Sequence, residues 1–119
     1  MDVLAIFQDS PKATTVKAGS YLFHQGEPAN EMYVVLSGRV EVRRDGQVIE
    51  VLEPGAILGE MAIVDERPRS ADAVAVVDSS IEPVDAEWFK HLIRKSPNFG
   101  LHVMGVMAQR LRRFMDQSA

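Results

Sequence analysis

The sequence predicts a mainly β protein: an antiparallel, jelly-roll-like β-roll with a short helix before it and two helices after it. Three observations carry that reading. Short segments rich in β-branched and aromatic residues fill positions 13–84. Glycines at 19, 26, 38, 46 and 55 punctuate them at intervals of seven to twelve residues, the rhythm of an antiparallel sandwich or roll. Helical periodicity is confined to the two ends.

Strands are expected over Thr14–Lys17, Tyr21–Phe23, Met32–Leu36, Arg39–Arg43, Gln47–Leu52, Asp72–Val77 and Ser80–Val84. In the fourth, Val40 and Val42 alternate with Arg39, Glu41 and Arg43, giving one dry face and one wet face. Asp45-Gly46 marks a tight hairpin turn. Asp85 is a good N-cap for a helix over about 85–95, and Ser96-Pro97 ends it and starts a second over about 97–116. Leu101, Met104, Met107 or Ala108, Leu111 and Met115 recur at steps of three and four and form one apolar stripe, suited to packing on the roll or on a second copy. The residues around Phe7 suggest another short helix. One domain over 1–119 follows, with no linker or low-complexity segment.

Composition narrows the function. The chain has 119 residues, enough for one core and too few for two domains. It contains no cysteine, which excludes disulfides, thiolate metal sites and cysteine nucleophiles. The net charge is −4 and the pI about 5.3, against the basic surplus that nucleic-acid binding requires. Arg110, Arg112 and Arg113 form the one basic cluster, as expected of cations near a helix C-terminus, with ligand or partner contact as the alternative. No apolar run spans a membrane, and Met1-Asp2-Val3-Leu4 lacks the basic start of a secretory signal, so a cytoplasmic protein is expected. His24, His91 and His102 are scattered, which argues against a cupin-type metal enzyme. No cofactor and no enzymatic activity are expected.

The chemistry concentrates in residues 55–71. A glycine turn leads to Glu60 at the head of a short helical apolar run, and Arg69 follows nine residues later. Amides at a helix start donate to anions, and a guanidinium offers a forked donor suited to phosphate oxygens. An ionised carboxylate accepts hydrogen bonds from sugar hydroxyls. The pattern suits a nucleotide, and by spacing alone it equally suits a structural Glu60–Arg69 ion pair.

Gly59-Glu60-Met61-Ala62 followed by Pro68-Arg69-Ser70-Ala71 resembles the phosphate-binding cassette of the cyclic nucleotide-binding domain family. That family includes bacterial catabolite activators, protein kinase A regulatory subunits and cyclic-nucleotide-gated channels. The segment from Gln25 to Val40 resembles the family's strand-and-turn signature, and the likeness runs from about residue 3 to 115. The resemblance implies that Glu60 holds the ribose 2′-hydroxyl and Arg69 the cyclic phosphate. Amides around Gly59, Met61, Ala62 and Ser70 complete the anion cradle, with the Ser70 hydroxyl near phosphate or base. Val42, Leu58 and Val48 form the apolar wall under the purine, and Arg110 or Phe114 of the last helix reaches the base.

The resemblance thins in two places. Phe114 stands where activators carry a polar residue that reads the adenine amino group. Asp72 replaces a common threonine and brings a negative charge toward the cassette. The ligand implied is cyclic AMP, with cyclic GMP left open. No helix-turn-helix follows Ala119, so direct DNA binding is not expected. Met1 and the short polar tail favour natural termini over a piece of a larger sensor. The signal then passes to a second copy through the C-terminal helix or to a separate effector protein. The competing reading keeps the roll without a ligand, as a structural or protein–protein interaction module.

Overall fold

The computed structural model describes residues 1–118, with side chains through residue 116. Helix α1 (Val3–Ile6) precedes eight strands: β1 (Thr14–Val16), β2 (Tyr21–Phe23), β3 (Glu31–Ser37), β4 (Val40–Arg44), β5 (Gln47–Leu52), β6 (Ile57–Leu58), β7 (Asp72–Ala75) and β8 (Ser79–Asp85). Helices α2 (Ala86–Lys95) and α3 (Pro97–Ser118) follow. The strands pair antiparallel in two four-stranded sheets, ordered β1-β8-β3-β6 and β2-β7-β4-β5. The predicted antiparallel roll with flanking helices is therefore the fold. One strand was missed. β6 has only two residues, too few to show a period of two, and it lies within the segment read as turn and cassette.

β3 shows how the core is divided. Successive side chains point to opposite faces. Met32 and Val34 join Ile57, Val84, Leu92, Phe99 and Val103 beneath the helices, whereas Val35 joins Val40, Leu52, Leu58, Ala73 and Ile81 inside the roll. Phe99 is fully buried and meets the rings of Phe7 and Phe89 at 5.7 and 5.9 Å. Glu82 shares the helix-facing side of β8 with Val84. Its Oε2 accepts from Ser10 Oγ at 2.8 Å and Trp88 Nε1 at 3.0 Å, tying the N-terminal segment to α2.

The helix boundaries have local causes. The Asp85 carboxylate accepts from the Trp88 amide at 2.8 Å, the expected cap of α2. The α3 stripe turns out otherwise than packing on its own roll. Phe99, Val103, Val106 and Met107 face the roll, while Leu101, Met104, Leu111 and Met115 are exposed. At 3.6 residues per turn the stripe is centred roughly 130° away from the packed face. An apolar spacing of three and four marks a surface to be covered, and does not say by what. Among the described residues no helix is long and apolar enough to cross a membrane, and no three His, Cys, Asp or Glu side chains are grouped to hold a metal ion.

The turn between β3 and β4 admits only glycine. Gly38 has φ +89°, and a Cβ there would lie 2.7 Å from Ser79 Cα, backbone that cannot swing away. Gly38→Ala is expected to lower stability by about 1–3 kcal/mol, read as a reduced urea midpoint with an unchanged slope.

Candidate functional site

The β4–β5 hairpin, the loop from Gly59 to Ala71 and Arg110 of α3 enclose an open-mouthed cavity of about 450 Å³. That volume lies in the ordinary range for small-molecule sites. Apolar side chains such as Val42 and Leu58 line it, and its polar groups come from the cassette, from Arg44 and Glu50 of the hairpin and from Arg110. Gly59, Glu60, Met61, Ala62, Arg69, Ser70 and Arg110 also line it.

Gly59 starts the cassette in the left-handed region, with φ +69°. A Cβ there would sit 2.6 Å from Arg69 Nη1, so the glycine serves both the turn and the room the arginine needs. A single 3₁₀ turn follows over Glu60–Ile63, where a short helical run was expected. Its first internal bond runs from the Ala62 amide to the Gly59 carbonyl at 3.1 Å. The Glu60 and Met61 amides thus have no acceptor within the turn.

Arg69 is buried, at 8 % exposure, and among the described residues no carboxylate pairs with it. Its Nη2 donates to the Glu31 carbonyl at 2.7 Å, and its guanidinium carbon lies 4.2 and 5.5 Å from the ring centres of Phe23 and Tyr33. Its Nε is buried with no hydrogen-bond partner. The backbone is pinned too. The Arg69 amide donates to the Glu27 carbonyl at 2.9 Å, and the Gly26 amide donates to the Arg69 carbonyl at 2.8 Å. The two stretches that carried the family resemblance, 25–40 and 59–71, therefore meet around this one side chain. Burial and the Glu31 carboxylate push the Tyr33 phenol up to about 12, so it stays neutral beside the arginine at physiological pH.

Glu60 is buried, at 4 % exposure, and pairs with Arg110, not Arg69. The Glu60–Arg69 ion pair allowed by spacing does not form. Arg110 Nη1 donates to Glu60 Oε1, and Nη2 donates to the Ile57 carbonyl at 2.8 Å and to Glu50 Oε2 at 3.3 Å. Burial opposes the Arg110 charge, but the Glu60 and Glu50 carboxylates outweigh it and hold its pKa above the ordinary value. The cluster read as helix-end cations thus includes a cross-link between α3 and the roll, and Arg113 reaches Glu50 at 3.4 Å.

Two predicted site residues lie elsewhere. Val48 is 50 % exposed and does not line the cavity. Val42 pairs with Glu50 but Arg43 with Val48, so Ile49 is an extra residue in β5. That bulge reverses the faces before it, setting Val48 opposite the wet-face Arg43 and bringing Ile49 to the cavity. Phe114 is 67 % exposed and also absent from the lining, because it lies one turn, about 6 Å, beyond Arg110. Asp72 does not turn its charge on the cassette; its Oδ1 accepts from the Gln25 amide at 2.7 Å. The sequence reading missed Phe23, Arg44, Ile49 and Glu50 as lining residues. Arg44 was legible, sharing the alternation of Val40 and Val42; Phe23 carried no signal beyond being aromatic.

A family model for the cyclic nucleotide-binding domain matches residues 13–96. The cyclic AMP receptor protein of Thermus thermophilus is 37 % identical over 99 residues, covering 79 % of this chain and 46 % of the relative. The chain thus spans about half the length of that relative. The crystal structure of the Thermus thermophilus catabolite activator protein superposes with a TM-score of 0.80 at 32 % identity, covering 97 % of this chain and 55 % of the other. A structure from a cyclic-GMP-dependent signalling pathway of bacterial phytopathogenesis gives 0.77 at 26 % identity, covering 92 % and 91 %. The family match over most of the chain and the site built from both of its signature stretches lead to one conclusion: this protein belongs to the cyclic nucleotide-binding domain family.

Proposed function

We propose that the chain is a cytoplasmic regulatory module that binds cyclic AMP, performs no catalytic step and passes the signal through α3. One observation carries the proposal: a buried guanidinium without an acid partner and a buried carboxylate braced from α3 line the same cavity. Arg69 takes the cyclic phosphate, the Glu60 and Met61 amides add donors, and Glu60 accepts from the ribose 2′-hydroxyl. Val42, Leu58 and Ile49 lie against the purine. Cyclic AMP is favoured by the small Ser70 at the cavity and by the cyclic AMP receptor named among the relatives. Cyclic GMP is the second candidate, supported by the structural likeness to a protein of a cyclic-GMP-dependent pathway.

The exposed stripe on α3 suits a second copy. Leu101, Met104, Ala108, Leu111 and Met115 fall at alternating three- and four-residue steps, the a and d positions of a heptad. Because Arg110 ties this helix to Glu60, a change at the cavity is felt along the same helix that pairs the protomers.

A thermal-shift panel is expected to show stabilisation by cyclic AMP well above that by AMP or ATP, since a ligand specific to the folded state raises its melting temperature. No shift with any cyclic nucleotide would leave the interaction-module reading in its place. Arg69→Ala is expected to weaken cyclic AMP binding by about ten- to a hundredfold or more in calorimetry, from the ~1.5–3 kcal/mol of a charge-assisted hydrogen bond. In sedimentation the parent is expected to be a dimer and Leu111→Glu a monomer that still binds ligand. A monomeric parent at every concentration, with and without ligand, removes the helix pairing.

A further inference from the structure

Four arginines line the cavity, and two of them face an acid. Arg110 is committed to Glu60 and Glu50, and Arg67 pairs with Asp65 at 3.2 Å. Among the described residues Arg69 makes no ion pair, and neither does Arg44. Arg44 ends β4 on the same face as Val40 and Val42, whereas Arg43 on the opposite face is paired with Glu41 at 2.7 Å. Among the described residues the Arg44 side chain makes one hydrogen bond, from Nε to the Ser70 carbonyl at 3.0 Å. That bond sets the guanidinium beside the residue that follows Arg69.

We infer that Arg44 is a second phosphate-contacting residue, carried by the β4–β5 hairpin and held beside the cassette by the Ser70 carbonyl. The inference rests on the cyclic nucleotide reading and deepens it. The geometry divides the work of one guanidinium. Nε holds the cassette through the Ser70 carbonyl, and the two terminal nitrogens are left to take an exocyclic phosphate oxygen. In a protein of net charge −4 a second unpaired cation at the cavity also offsets the long-range repulsion of an anionic ligand. Arg44 is exposed, so its contribution is smaller than that of buried Arg69 and is screened by salt.

The test compares the parent, Arg44→Gln and Arg44→Lys by calorimetry with cyclic AMP across ionic strengths, with urea midpoints as a check on folding. Arg44→Gln is expected to weaken binding by about three- to tenfold and to flatten the fall of affinity with salt, while leaving the midpoint unchanged. Arg44→Lys, which keeps the charge, is expected to recover most of the loss and the steeper salt dependence. Equal affinities and salt slopes for the parent and Arg44→Gln would overturn the inference, as would Arg44→Lys binding as weakly as Arg44→Gln. Either result leaves the cyclic nucleotide reading standing, whereas a parent that binds no cyclic nucleotide removes both.

Discussion

A buried arginine without a counter-ion governs this molecule. Taking a guanidinium out of water is costly unless hydrogen bonds and charge make up the loss. At Arg69 the protein supplies a partial settlement: one backbone carbonyl, two aromatic faces and no carboxylate. Nε is left without an acceptor. Much of the surrounding structure serves to hold that side chain in place. The Gly26–Glu27 turn clamps its backbone, β2 and β3 supply the rings, and Gly59 gives up a side chain to make room. Under the proposed function, an anion entering the cavity would meet a charge already desolvated, so binding would lose little to reorganisation.

Glu60 shows the opposite treatment. Its charge is matched inside the protein, by Arg110 from a helix fifty residues away. A buried ion pair of this kind contributes little net free energy but breaks at high cost. A carboxylate held through one oxygen leaves its other oxygen for the sugar hydroxyl proposed above, and under that proposal a shift of the carboxylate would be felt by α3. That gives the cavity and the helix one shared electrostatic contact, and differential contact of this kind is what a ligand needs to bias a conformation.

The bulk of the fold was legible because burial here follows simple periods. Val40, Val42 and the Asp45-Gly46 turn announced a hairpin, and Asp85 announced a helix, because alternation and capping are local. Non-local effects were not legible. The family resemblance implied Val48 in the cavity wall, yet the extra residue Ile49 turns it away, and a bulge exists only relative to a partner strand. The α3 stripe was visible, but its distance from the roll was not, since periodicity reveals an apolar face without revealing its neighbour.

The sequence by itself determined the architecture, the family and the Gly59–Glu60 and Arg69 positions, because those depend on residue type and spacing along one chain. Only the tertiary structure decided how the charges are paired. Glu60 goes to Arg110, Arg69 to no acid, and Arg44 to the carbonyl of Ser70. Spacing left Glu60 and Arg69 free to choose each other. Coulomb attraction acts through space over a few ångströms, so which partner wins is settled by the packing that brings residues fifty positions apart into contact.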